Sequence, residues 1–394
     1  MARIAFLTPQ LPHPAISGGV IKSRALLEHL SARHEVRLFC LLKNDDAERV
    51  SAFRDAVPLA DFHGAPVAVP RSAATFLKSL AAGLPLSVYR NRSALMHALV
   101  ASDLSDVDVL FVDHFLMFQY VPEQFAGRVV LHQHNAEHVM WQRYANLAPL
   151  GLRRAAIHAE AARIRRYERE ICLRSDAVLA APNDIEALIA AGVPDDRFIE
   201  TLHLGDEALL AQPDIEFAAT EPRLLFVGSL DWEANRDGLL WFLEHVWPLL
   251  VSRHPGLRLT IIGRNADERL THAARSQPGV ELAGFVADLE PWYARSRVFI
   301  APLRFGGGIK VKVVNALYRG LPVATSAIGA EGLAVTSGRE LLISASAEEM
   351  ALDVGLLLTD EPLWRRVRDG ARGLAREKYG WRACLERVED ALYA

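Results

Sequence analysis

The segment RFGGGIKVKVVNALYRGLPVATS, residues 304–326, gathers the residue types best suited to chemistry. Gly306, Gly307 and Gly308 permit positive φ and a close backbone approach, and a helix is expected to start near Ile309. N–H groups at a helix N-terminus behind a glycine loop form an anion site. Lys310 and Lys312 place positive charge in the first turn, against the helix dipole, which points to an anionic ligand; a loop with solvated lysines is the alternative. A second strand-to-helix turn lies in RLLFVGSLDWEANRDGLLWFLEHVWPLL, residues 223–250. Its strand ends at Gly228, a polar loop with Ser229 follows, and Asn235 stands where it would cap the next helix or meet a ligand. In TIIGRNADE, Arg264 follows a strand and a glycine, where a guanidinium can grip a phosphate bidentately or form a salt bridge with Asp267 or Glu268.

The first half carries sparser signals. Gly18 and Gly19 sit between the first strand and the first helix but lack the G-x-G-x-x-G spacing of a dinucleotide site. Asp113 and His114 lie just beyond a strand. His132, His134 and His138 fall in LHQHNAEH without the HExxH pattern, so the segment reads as polar lining of a cleft, with a zinc site as the weaker alternative, and no metal ligand is assigned. Asp106 and Asp108 read as the polar entry to a strand. Residues 151–174 alternate arginines with Glu160, Glu168 and Glu170; a solvated, ion-paired helix is expected, with a seat for an anionic acceptor or lipid headgroups as the alternative.

These residues need a sheet edge to hold them. Short apolar runs over residues 3–8, 35–42, 108–112, 128–131, 176–181 and 197–202 read as buried parallel strands, with helices between them such as 20–32. The rhythm breaks at 206–222, which is acidic and contains Pro213 and Pro222, and a linker is expected there. It resumes with strands over 224–227, 258–262, 280–283, 298–301 and 322–324. The expected architecture is α/β: two Rossmann-like doubly wound domains facing a cleft, residues 1–205 and 223–378, with a last helix over 379–394 crossing back to the first.

Bulk properties exclude several classes. With 394 residues, 51% hydrophobic and 23% charged, the chain is an ordinary core-forming protein of two-domain size. A net charge of −4 argues against a general nucleic-acid binder. Cys40, Cys172 and Cys384 form no CxxC pair and fit a reducing compartment. The N-terminal apolar run is short and broken by Pro9 and Pro12, so neither a signal peptide nor a membrane span is expected; a cytoplasmic location follows, with contact at a membrane surface left open.

VGSLDWEANRDGLLWF, LTIIGRN and VELAGFVADLEPWYARSRVFIAPLRFGGGIKVKVVNALYRGLPVATSAIGAEGL, in that order, resemble the group 1 glycosyltransferases, a retaining, GT4-like family with the GT-B fold. QHNAEHVMWQR resembles the HN-x-E segment of exopolysaccharide-type sugar transferases. The resemblance implies a nucleoside-diphosphate-sugar donor on the second domain, a glycan, lipid-linked or small-molecule acceptor on the first, retention, and neither metal nor cofactor. Lys312 matches the family's lysine and Lys310 a frequently basic position; Gly18 and Gly19 match the loop that approaches the donor phosphate; His114 matches a histidine near the transferring sugar. The family's two glutamates, eight residues apart, read Gly307 and Asn315 here, and its first arginine reads Ser229. Diphosphate neutralisation then falls to Arg264, Lys310 and Lys312, and Asn315 is expected to take the ribose through its carbonyl oxygen. Two other readings follow: a degenerate nucleotide- or glycan-binding partner of another transferase, and a GT-B sugar-nucleotide epimerase, which would react without an acceptor.

Overall fold

Apolar strands buried on both faces are what parallel sheets with helical crossovers require, and the chain builds two of them. A computed structural model describes residues 1–15, 18–43, 46–70 and 72–393. The chain divides into two compact units, Met1–Leu202 with Arg382–Ala394, and His203–Trp381.

The first unit holds β1 (Arg3–Thr8), β2 (Glu35–Leu42), β3 (Asp61–Pro66), β4 (Val109–Asp113), β5 (Arg128–His132), β6 (Ala177–Ala180) and β7 (Phe198–Glu200). All pair in parallel, in the order β3-β2-β1-β4-β5-β6-β7. The side-chain period of two sends Ala5 and Leu7 of β1 to one core and Ile4 and Phe6 to the other. The second core also receives Val388, Ala391 and Leu392 from the helix Trp381–Tyr393, which explains why the chain's end belongs to this unit.

The second unit holds β8 (Glu221–Val227), β9 (Arg258–Ile262), β10 (Val280–Gly284), β11 (Ser296–Ala301), β12 (Val323–Ser326) and β13 (Leu342–Ser344), in the order β10-β9-β8-β11-β12-β13. In each sheet the winding reverses once, between β1 and β4 and between β8 and β11. Such reversal points open a crevice at the carboxyl ends of the strands, where ligands of doubly wound sheets bind.

Some readings change. β3 (DFHGAP) and β13 (LIS) were not expected from the sequence. β3 carries Gly64 and Pro66 and has one buried residue, as an edge strand can. Residues 206–222, expected as a linker, are bonded into the second unit. They form the turns Glu207–Ala211 and Phe217–Ala219 and then enter β8. Three buried arginines hold them: Arg319 donates to Pro213 O (2.7 Å), Arg368 to Ile215 O (2.7 Å) and Arg372 to Leu210 O (2.7 Å). The helix Leu152–Arg174 is not solvated on every face, because Glu160 and Glu168 are buried. Among the described residues no helix is long and apolar enough to cross a membrane.

Candidate functional site

β8 and β11 are neighbours, so the loops that leave them open side by side at the reversal point of the second sheet. After β8 the chain runs through Gly228 and Ser229 into the helix Glu233–Trp241. After β11 it passes Gly306–Gly308 into the helix Val311–Arg319. Gly238 lets the first helix approach the second loop, since a Cβ there would strike Pro302 O. Arg304 then ties the loop to the helix through Asp237, at 2.8 and 3.1 Å. Gly306 (φ 149°) and Gly308 (φ 61°) use conformations that side chains resist.

Lys312 lies at the centre of this arrangement. Its ammonium donates to Asn235 Oδ1 and lies 4.7 Å from the ring centre of Phe226 and 5.5 Å from that of Trp232. Asn235 is buried inside its helix and does not cap it; Trp232 is the capping residue, and Asn235 Nδ2 donates to Ser229 O at 2.7 Å. A Cβ at Gly228 would stand 2.9 Å from Asn235 Nδ2 and 3.3 Å from Lys312 Nζ, so the bare glycine leaves this pair its room. Burial, and then the charge of Lys310, lower the Lys312 ammonium to a pKa of about 7. No carboxylate contributes to that balance.

The other predicted donor residues are placed differently. Lys310 is buried, donates to Gly308 O and lies 3.7 Å from Glu331, so it braces the glycine loop from inside. Arg264 is exposed and stacks on Phe285, its guanidinium 3.7 Å from the ring centre. Neither Asp267 nor Glu268 pairs with it; Asp267 takes Arg236 at 3.2 Å. The Arg264 carbonyl accepts from Leu230 N–H (3.0 Å), joining this loop to the one after β8. Ser229 is exposed and donates to Asp231 at 2.8 Å. Asn315 is half-buried, and its carbonyl oxygen, expected to meet a ribose, accepts from Asp206 N–H at 2.8 Å. Gly205 has no Cβ, which would otherwise run into Asn315 Oδ1. Gly307 supplies no side chain.

In the first unit the reversal point lies between β1 and β4, and it brings Gly18, Gly19, Asp113 and His114 to one edge. Asp113 is fully buried and central: Thr8 Oγ1 donates at 3.1 Å, His132 Nδ1 at 2.8 Å and His134 Nε2 at 2.8 Å. Burial works to raise this carboxyl, but His134 and His132 outweigh it and hold it well below the usual carboxylate range. Oδ1 of Asp113 and one nitrogen of each imidazole lie within 4.8 Å of one another, as metal ligands can; the 2.8 Å separations are those of imidazole N–H groups donating to a carboxylate. A Cβ at Gly19 would stand 3.3 Å from His134 Nδ1. His138 belongs elsewhere, with its Nδ1 on Glu168 at 2.6 Å. Glu168 also accepts from Gln133 Nε2 (2.6 Å) and from Glu137 N–H (2.7 Å), which fixes the turn after β5.

His114 is strained: φ is 100° and ψ 137°, a region glycine favours. Leu116 N–H donates to its Nδ1 at 3.3 Å, so Nε2 carries the proton. Burial, then the neighbouring His134, push its pKa well below the ordinary imidazole value, and the ring stays neutral. The first unit thus holds a neutral donor at its strained residue His114, and the second holds the Lys312 ammonium, to whose balance no carboxylate contributes among the described residues. The sequence had not signalled the bracing role of Lys310, the Phe285 stack or the convergence on Asp113.

Comparison with known proteins bears on the family and the fold. Residues 221–360 match the family described as Glycosyl transferases group 1. A Klebsiella pneumoniae protein, described as an uncharacterized 44.6 kDa protein in cps region, is 24% identical over 354 residues, covering 87% of this chain and 88% of its own. Anabaena HepE, solved in complex with UDP and glucose, superposes with a TM-score of 0.70 at 15% identity, over 100% of this chain and 99% of its own. Sucrose-phosphate synthase from Thermosynechococcus elongatus superposes with a TM-score of 0.70 at 17% identity, over 99% of this chain and 98% of its own. The fold is the two-domain α/β fold of GT-B glycosyltransferases.

Proposed function

We propose that the chain, whose residues 221–360 match the group 1 glycosyltransferases, moves a sugar from a nucleoside-diphosphate donor to a glycan, lipid-linked or small-molecule acceptor, with retention and without a metal or other cofactor. The observation that carries this reading is the half-buried Lys312 ammonium, at the reversal point of the second sheet and at the start of a helix, with no carboxylate among the described residues contributing to its charge balance. A leaving diphosphate supplies the missing charge, and the helix N–H groups with Arg264 add to its stabilisation. HepE, which holds UDP and glucose, supports such a donor, and the Klebsiella relative in the cps region supports a place in polysaccharide assembly. His114, as a neutral Nε2–H donor, addresses a hydroxyl of the transferring sugar, and the Gly18–Gly19 amides approach a phosphate.

The test is a thermal-shift screen against UDP, GDP, TDP, ADP and CDP, followed by turnover of the matching sugar nucleotides and anomer analysis of the product. A ligand at one hundred times its Kd stabilises the fold by about 2.7 kcal/mol. No binding by any of the five, with no turnover, refutes the proposal. A second reading has its own observation: Gly307 provides no carboxylate and Asn315 spends its oxygen on Asp206, as in a degenerate partner protein that binds without turnover. Binding without turnover of any donor would favour it, and release of an altered sugar nucleotide without acceptor would mark an epimerase. We place the protein in the cytoplasm, touching a membrane surface through the first unit, where Leu77, Leu150 and Leu152 are exposed and Arg153 and Arg154 follow. Flotation with anionic liposomes checks this; a protein that stays at the bottom of the gradient removes the contact.

A further inference from the structure

β3 lies at the edge of the first sheet and buries one residue, Ala65, so apolar burial does little to hold it. Ligating side chains stand at its start instead. Asp61 and His63 are two residues apart and therefore share one face of the strand. Their register partners on β2 are Arg37 and Phe39, and the His63 ring stacks on Phe39 with centroids 4.6 Å apart. Asp103, which ends the helix Ala94–Ser102, completes the group. One ligand atom from each of Asp61, His63 and Asp103 lies within 4.8 Å of the other two.

The surroundings of His63 Nε2 are the telling feature. This atom is shielded from solvent, 2.9 Å from Asp103 Oδ2 and 3.3 Å from Asp61 Oδ2, yet neither approach is a hydrogen bond. An imidazole N–H that donates to a carboxylate points along the line to its acceptor. The imidazoles on Asp113 do so; at His63 both oxygens stand off that line. Their spacing is that of neighbouring ligands on one ion: with ion–ligand distances of about 2.0–2.2 Å, such ligands lie about 3.0–3.5 Å apart. Asp103 is oriented from behind, because Arg37 Nη1 donates to its Oδ1 at 3.1 Å and leaves Oδ2 for the group. Charge also favours a cation. Glu35, Asp103, Asp106 and Asp108 share Arg3 and Arg37, and among the described residues Asp61 pairs with no arginine. The Asp61 side chain is 56% exposed, which gives an ion a way in and water a place beside it.

From this geometry we propose that Asp61, His63 and Asp103 bind a divalent transition-metal ion, with water completing its shell. One imidazole and two carboxylates suit zinc, whereas calcium and magnesium take oxygen ligands alone. The ion ties the start of the edge strand to the end of the helix Ala94–Ser102, where apolar contact is scarce. The site lies at the amino ends of the strands, the opposite edge from Asp113 and His114. Its role is structural, it takes no part in sugar transfer, and it stands or falls independently of the glycosyltransferase reading.

Metal-stripped wild type, Asp61→Asn and His63→Ala are titrated calorimetrically with zinc chloride, and each is melted with and without zinc. Zinc affinity is expected to fall by about tenfold to a hundredfold in Asp61→Asn and by more than about a hundredfold in His63→Ala. Zinc should raise the melting temperature of wild type, and this gain should shrink in Asp61→Asn and vanish in His63→Ala. Cobalt in place of zinc should give wild type the visible absorption of a nitrogen- and oxygen-ligated site, and His63→Ala should lack it. Asp61 is exposed, so metal-free Asp61→Asn should melt with metal-free wild type, and its weaker zinc binding is then the loss of a ligand rather than of the fold. The group around Asp113 is left intact in both variants. Equal zinc affinity in wild type and His63→Ala would therefore place any bound zinc elsewhere and overturn the proposal, and so would a wild type that binds no zinc.

Discussion

His114 allows strain and function to be read from one position. Its φ of 100° and ψ of 137° fall where a Cβ is unwelcome, and a residue held there costs about 1–3 kcal/mol. At ordinary positions Gly is less favourable than Ala by roughly 0.5–1 kcal/mol, because it has more chain entropy to lose. Both His114→Ala and His114→Gly remove the ring, its contact with Phe115 and its bond from Leu116 N–H, so those losses cancel in the comparison. Only Ala keeps the strained Cβ. Subtracting the entropy term from the strain makes Gly the more stable variant by up to about 2.5 kcal/mol, the reverse of the usual order. Denaturant melts measure that difference directly. Sugar-transfer assays on the same proteins should show kcat/KM reduced in both by about the same factor, roughly tenfold to a hundredfold for one lost hydrogen bond to the sugar. An Ala variant more stable than the Gly variant would refute the strain, and undiminished transfer by either would remove His114 from the site.

Three other outcomes follow from the second unit. Lys312 titrates near 7 in the fold, below the ordinary lysine value, so the unfolded chain binds more protons above that pH; this group's contribution to stability is flat below about 7 and rises with pH above it. UDP affinity should move the other way, constant below about pH 7 and weakening above it, whereas Lys312→Arg, always charged, should give a flat profile between pH 6 and 9; a flat wild-type profile would argue against a diphosphate on Lys312. Asn315→Ala leaves Asp206 N–H without its acceptor and should cost about 1 kcal/mol in a thermal melt, with Asn315→Asp retaining most of the stability. Arg372→Ala strands the carbonyls of Leu210 and Gln212 and should destabilise the second unit by about 3 kcal/mol or more, visible as a lowered denaturation midpoint.

Much of the fold was legible because both sheets are parallel. Strands buried on two faces are short apolar runs, and RIAFLT, EVRLFCLL and RLTII can scarcely be anything else. β3 and β13 escaped because an edge strand needs little apolar surface: DFHGAP buries one residue, and LIS is three residues long. The placement of the candidate residues was legible where backbone alone defines it, at the glycine loop and the strand ends. It was less legible where side chains choose among partners. Lys310 and Lys312 are two residues apart in a helical first turn and so point in different directions, one toward Gly308 O and Glu331, the other toward Asn235. Nothing in their types tells which turns inward. Glu160 and Glu168 looked solvated for the same reason: their acceptors' needs come from Leu86, Gln133, Glu137 and His138, far away in sequence.

The division of labour between the two lysines bears on what the missing glutamates do. A carboxylate at position 307 or 315 would lie on the loop or helix that carries Lys312 and would oppose the burial that lowers its pKa. With glycine and asparagine there, no carboxylate among the described residues contributes to the charge balance of the ammonium. On the proposed reading its attraction for a diphosphate would be undivided, while a sugar would lack a carboxylate acceptor for its hydroxyls. Grip on the nucleotide then rests on Lys312 and the helix N-terminus of the second unit, and orientation of the sugar is a separate task assigned to His114 of the first unit. Substituting Lys312 should therefore appear mainly in UDP affinity, and substituting His114 mainly in kcat with UDP affinity unchanged. If UDP binding fell equally in both variants, the separation would be wrong and one shared contact network would have to replace it.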